Sequence, residues 1–239
     1  MDRLASEIID AHGGLDRWRS FGTLSAHLVQ GGALWGLKGQ AGVLDDTHVT
    51  VDLRRQHASH APFGDPALKS SFTADRVELR GSDDTVVESL DHPRASFAGH
   101  TLETPWTKLQ LAYFAGCAMW TYLNMPFLLA SEGVMSEEIE PWQQGGEPWR
   151  RLRVRFPATI ATHSDEQTLH VGPDGLLRRH DYNVDIAGGT PGAHFISDYV
   201  TVDGIAIPTR RRIFPRQDDG QAMLEPLVVS IDLDDIRLA

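Results

Sequence analysis

Along residues 48–54, "HVTVDLR", Val49, Val51 and Leu53 share one parity and Thr50, Asp52 and Arg54 the other. A period of two marks a half-buried strand, because successive side chains point to opposite faces. The period recurs in "RRLRVRF" (150–156), where Leu152, Val154 and Phe156 interleave with arginines. "DEQTLHV" (165–171) and "LLRRHDYNVDI" (176–186) flank "GPDG", a hairpin turn in which proline presets φ and glycine accepts positive φ. "HFISDYVTV" (194–202) meets "IAIPTRRRIF" (205–214) across Asp203-Gly204, and "PLVVSIDLDDI" (226–236) closes the chain. Earlier strands are expected at 24–39, with a bend at Gly31-Gly32, and at 71–81 and 84–91, joined at Gly81–Asp83.

Two stretches follow another period. Leu4, Ile8, His12 and Leu15 fall near helical spacing, with Gly13-Gly14 as a stop and a second short turn over 15–21. Residues 106–130 form an apolar block, uncharged over 109–129, for which Thr104 as N-cap and Pro105 as first helical residue predict a helix start and Pro126 an end. Residues 135–149 read as a polar connector. The sum is a mainly β (α+β) chain: about 10–11 antiparallel strands and a few helices in a single domain over 1–239, with a helical insertion at about 104–130.

Composition removes several functions. The formal net charge of −11 argues against nucleic acid and anionic head groups as partners. A single cysteine, Cys117, excludes an intrachain disulfide, and its apolar neighbours predict a buried small hydrophobe. Residues 109–129 approach membrane-span length, but scattered Tyr, Trp, Gln and Asn predict a buried helix rather than an inserted one. The N-terminus shows no basic-then-apolar export pattern, so a cytoplasmic protein is expected.

The segments "AHGGLDRWRSFGTL" (11–24) and "DYVTVDGIAIPTRRRIF" (198–214), together with the order terminal helix, long meander, central helices, further meander, resemble the LolA/LolB-like lipoprotein-carrier half-barrels. The resemblance implies a strongly curved antiparallel sheet wrapped around helices, with a lipid-binding cavity between them. Some half-barrels of this kind are cytoplasmic enzymes, so catalysis is also implied as open.

Hairpin parity selects the inward side chains. If Val171 opposes Leu176, the covered face carries Gln167, Leu169, Arg178, His180, Tyr182, Val184 and Ile186, while Thr168, His170, Arg179, Asp181 and Asn183 face solvent. In the next hairpin His194, Ile196, Asp198 and Arg211 share the core face, and parity carried from Val49 through Val51, Leu53 and Arg55 brings in His57.

These residues permit three chemistries. In an acid/base enzyme without a cofactor, His180 serves as general base or acid, Tyr182 as electrophilic donor, His194 as a second proton carrier and Arg211 as substrate anchor. Such a lyase, isomerase or hydrolase would act on an aromatic or terpenoid-like metabolite. In a binder of a hydrophobic or aromatic small molecule, the same groups line the cavity. His57, Arg178 and Asp198 add polar contacts, and Trp106, Tyr113, Trp120 and Tyr122 add aromatic walls. Asp198 and Arg211 would form either a structural pair or an anchor for a planar acid. In the third, His57, His180 and His194, with His163 nearby, would hold a metal, although "HASH" (57–60) lacks chelating spacing on a strand. No nucleophile elbow, P-loop or dinucleotide fingerprint is present, so no cofactor is expected. Trp142 and Trp149 are candidates for an interface.

Overall fold

The computed structural model describes residues 2–239. Thirteen strands form one antiparallel sheet: β1 (Thr23–Gly31), β2 (Asp46–Asp52), β3 (His57–Ala61), β4 (Leu68–Thr73), β5 (Arg76–Gly81), β6 (Val86–Asp91), β7 (Met135–Gln144), β8 (Glu147–Arg155), β9 (Glu166–Val171), β10 (Leu177–Val184), β11 (Thr190–Val202), β12 (Ile205–Pro215) and β13 (Val229–Leu238). Their order across the sheet is β6-β5-β4-β3-β2-β1-β13-β12-β11-β10-β9-β8-β7. Every neighbouring pair but one is consecutive in sequence. The exception, β1 beside β13, joins the two ends of the chain at the centre of the sheet. The sheet stays open and curls into a half-barrel.

Helices α1 (Arg3–Ala11), α2 (Leu15–Trp18), α3 (Ala33–Leu37) and α4 (Lys108–Asn124) accompany it. Helix α4 is the connection between the two sheet edges, β6 and β7, so it must run back across the concave face. Every residue from Leu109 to Asn124 is buried, which is why the block carries no charge and no polar stripe. Thr107, not Thr104, caps it: the Thr107 Oγ1 accepts from Gln110 N, and the Gln110 side chain accepts from Thr107 N. The α4 helix has 17 residues, and among the described residues no helix is long and apolar enough to cross a membrane.

The sheet has more strands than the alternation predicted because three hairpins were hidden. The strand whose parity runs from Val49 to His57 is two, β2 and β3, with a turn after Asp52. Residues 71–81 are two strands; the Thr73 hydroxyl bonds both N and O of Arg76 and closes the turn between them. The polar connector at 135–149 is the start of the β7–β8 hairpin, turned at Gly145-Gly146 with φ of 58° and 86°. That glycine pair is a two-residue turn signal. It was masked because β7 is an edge strand with a mostly polar sequence, tied to β8 by Arg150–Glu138 and Arg153–Glu137 pairs. Beyond Gly32 the chain turns into α3 instead of continuing the first strand.

Candidate ligand-binding site

Helix α4 sits unevenly in the half-barrel. It packs on β2–β6, where Gly116 allows close approach: a Cβ there would lie 2.3 Å from Phe72. The opposite side of the helix presents Phe114, Ala115, Ala118, Met119 and Tyr122 toward β10–β13 across a gap. Small residues on the helix and Gly192 on β11 leave a cavity of about 180 Å³ there. Trp35 and Leu37 of α3, Trp106, Ile213 and Ile231 complete the wall, and among the described residues the polar side chains on it are Gln30, Tyr122, Tyr182 and Thr190. Apolar cavities of ~150 Å³ already hold a benzene ring.

Beneath the cavity lies a buried polar cluster with Tyr122 at its centre. The Tyr122 hydroxyl meets the Tyr182 hydroxyl at 2.5 Å and His163 Nε2 at 3.0 Å. The Tyr122 ring stands edge-on to His194, with ring centres 4.5 Å apart, and His163 stacks on Tyr182 at 4.6 Å. Gln167 donates its amide to Ser164 O, which points its Oε1 at His180 Nε2, 2.5 Å away, and makes that nitrogen the protonated one. Arg211 donates from Nη2 to the Tyr122 carbonyl at 3.0 Å and approaches His194 Nε2 at 3.5 Å.

Burial sets the protonation of this cluster. It pushes His163 and His180 down to about 3, and His194 well below its ordinary value. It raises both tyrosines. At neutral pH the cluster therefore holds neutral imidazoles, intact phenols and one guanidinium. Imidazoles that cannot take up a proton near neutrality are poor general bases. Of the proposed catalytic groups only Tyr182 reaches the cavity wall, and its hydroxyl is engaged by Tyr122.

The structure thus brings together His180, Tyr182, His194, Arg211 and Tyr122, and places Trp106 on the cavity wall. The other sequence-derived contacts lie elsewhere. A bulge sets Leu177 opposite Val171 and Arg179 opposite His170, so Arg178 is squeezed out and pairs with Asp174. Asp198 sits at a φ of 57°, is exposed, and pairs with Arg210 at 2.8 Å rather than with Arg211. The β2–β3 turn breaks the parity carried from Val49, so His60 is the buried imidazole and His57 bonds Ser71 at 3.2 Å. The Trp120 indole ties α4 to the carbonyls of Asp52 and Arg55, and Tyr113 faces Arg94 in a separate cleft. Among the described residues no three His, Cys, Asp or Glu side chains are arranged to hold a metal, so the trio of His57, His180 and His194 does not form.

Part of the face assigned to solvent is also covered, although Asn183 on it is exposed as expected. Arg179 is 0% exposed, and His170 and Asp181 are buried with it. Trp142 and Trp149 of the β7–β8 hairpin cover His170, with ring centres 6.0 and 6.3 Å away. Those tryptophans thus serve the fold's own outer layer. His163, expected only beside a metal, and Gln167 also belong to the cluster, without a catalytic role having been expected of either. His163 lies in an irregular loop where no strand parity could place it, whereas Gln167 was already on the inward face.

No family model and no curated protein sequence matches the chain. Solved structures do. A DUF1329 family protein from Desulfovibrio piger superposes with a TM-score of 0.58 at 13% identity, over 100% of this chain and 94% of the other. A LolA superfamily protein from Nitrosomonas europaea gives 0.53 at 11%, over 98% and 93%. An outer-membrane lipoprotein-sorting protein domain from Vibrio parahaemolyticus gives 0.51 at 11%, over 95% and 93%. Likeness over whole chains at such low identity speaks to fold alone: this chain has the LolA-like half-barrel fold.

Proposed function

We propose that the protein binds a hydrophobic, lipid-like or aromatic small molecule between α4 and strands β10–β13, and carries it without converting it. The observation that supports this reading is the cavity of about 180 Å³ whose wall is apolar except at four side chains. An apolar ligand gains from leaving water against so apolar a wall. The buried cluster favours carriage over acid/base turnover, because its imidazoles stay neutral and its phenols stay protonated at neutral pH. One structural neighbour is named for lipoprotein sorting; the cavity itself carries the proposal.

Native mass spectrometry of the purified protein, and displacement of an environment-sensitive fluorophore by fatty acids and aromatic hydrocarbons, test the reading. Filling the space with Ala118→Phe should abolish displacement while the fold persists. A protein that purifies without ligand and displaces the fluorophore with none of these compounds would overturn it.

A further inference from the structure

The run Arg210-Arg211-Arg212 lies on β12 and treats its three charges differently. Arg210 pairs with Asp198 and Asp232, and Arg212 pairs with Asp232. Arg211 points the other way, into the half-barrel, and is 2% exposed. Among the described residues no carboxylate pairs with it. Its partners are the Tyr122 carbonyl, the neutral His194 ring at 3.5 Å and the face of Tyr122, 5.3 Å from the guanidinium carbon. Among the described residues its Nε has no partner, and neither has His194 Nδ1. An arginine stays charged when buried, so the fold holds a cation without a counter-ion.

The position of this cation relates it to the cavity. Arg211 pairs across the sheet with Ile231 and precedes Ile213 by two residues; both isoleucines line the cavity wall. Next to Arg211 lies a pocket of about 10 Å³, bordered by His12, His180, Tyr199 and Tyr122. That volume suits about one water. Tyr122 lines both spaces and is the partition between them.

We propose that the ligand is an anionic single-chain amphiphile with a carboxylate head: the chain fills the apolar cavity, and the Tyr122 ring gives way so that one carboxylate oxygen takes the water-sized space and pairs with Arg211. This rests on the cavity reading above and adds the chemistry of the head group. A planar, singly charged carboxylate matches one guanidinium fork. The small space and the absence of a second unpaired cation there disfavour a phosphate. The free Nε supplies the donor, and the ligand supplies the missing negative charge.

Calorimetric titration of the delipidated protein with dodecanoate, 1-dodecanol and dodecyl phosphate tests this. Dodecanoate should bind roughly tenfold or more tighter than dodecanol. Arg211→Met should bring that ratio close to one while dodecanol binding persists. Equal binding of acid and alcohol, or a preference unchanged in Arg211→Met, would overturn the proposal, as would dodecyl phosphate binding as tightly as dodecanoate. If none of the three binds the wild type, the cavity reading itself fails. Should Arg211→Met not fold, the carbon-13 shift of carboxyl-labelled dodecanoate on the wild type decides. The guanidinium should keep the bound head ionised below the pH at which free acid protonates, and titration at or above the free value counts against it.

Discussion

The hydroxyls of Tyr122 and Tyr182 meet at 2.5 Å, one carried by helix α4 and the other by strand β10. This contact pins the helix to the β10–β12 half of the sheet, at the place where the cavity gives way to the polar cluster. Tyr122 has a second partner in His163, whereas among the described residues the Tyr182 hydroxyl has Tyr122 alone as hydrogen-bond partner. The two phenols are therefore not equivalent. Tyr122→Phe leaves a buried imidazole nitrogen and a buried hydroxyl unpaired, and should cost about 2–3 kcal/mol. Tyr182→Phe leaves Tyr122 bonded to His163 and should cost about 1 kcal/mol. Urea unfolding of both variants checks the order; a reversed order would mean that His163 does not hold Tyr122.

Acid should unfold this protein through its histidines. His163 and His180 have folded values of about 3, and His12 and His60 about 4, all pushed below the ordinary 6.5 by burial. For a depressed imidazole the unfolded chain binds the proton and the folded chain does not, so stability falls as pH drops below the unfolded value. Each such histidine contributes a slope approaching about 1.4 kcal/mol per pH unit between the two values. His27 acts in the opposite sense, because Asp46 and Asp234 raise it, but both aspartates are exposed and its share is small. Urea midpoints at pH 5, 6, 7 and 8 should drop steeply between 7 and 5; a flat profile there would show that these imidazoles are reached by water.

Much of this arrangement was legible in the chain. The alternation of His180, Tyr182 and Val184, and of His194 with Ile196 and Arg211, placed four members of the cluster on one face, because pleat parity is local and survives any global twist. Parity failed wherever the backbone slipped or bent. A bulge ejected Arg178, a positive φ turned Asp198 outward, and the turn after Asp52 exchanged His57 for His60. It could not place His163, which lies between strands, nor reveal that a second layer covers Arg179. Which polar face is wet depends on what folds over it, and that is long-range information.

Gly116 should be intolerant of any side chain. Its Cβ would meet Phe72 Cβ at 2.3 Å and Cγ at 2.4 Å, and Phe72 is itself fully buried. Gly116→Ala should therefore destabilise by about 1–3 kcal/mol despite alanine's better helix propensity. If the helix yields instead, it moves toward the cavity and ligand uptake falls. Combining Gly116→Ala with Phe72→Leu should recover part of the loss. Thermal melts of the single and double variants measure both effects, and a single variant as stable as wild type would show that α4 is not held against β4.

Asp181 is the keystone of the outer layer. Its carboxylate accepts from Arg179 Nε at 2.6 Å, from Arg179 Nη2 at 2.9 Å and from His170 Nε2 at 3.2 Å. Burial alone would raise its pKa, but His170 and Arg179 hold it below the usual carboxylate value. Arg179 is covered by the rings of Trp142 and Phe195, at 5.6 and 5.4 Å, and also donates to Gly220 O. Asp181→Asn removes the one negative charge paired with it while leaving the shape intact. An uncompensated buried guanidinium should cost about 3–5 kcal/mol. Replacing the pair together, Asp181→Asn with Arg179→Met, should recover most of that loss, because removing both charges also removes the desolvation penalty. Ligand binding should be unaffected in the double variant, since the cavity lies on the opposite face of β10. Urea denaturation gives the energies, and fluorophore displacement gives the binding. A single variant within about 1 kcal/mol of wild type, at the level of a surface ion pair, would mean that water reaches Arg179 beneath the tryptophans.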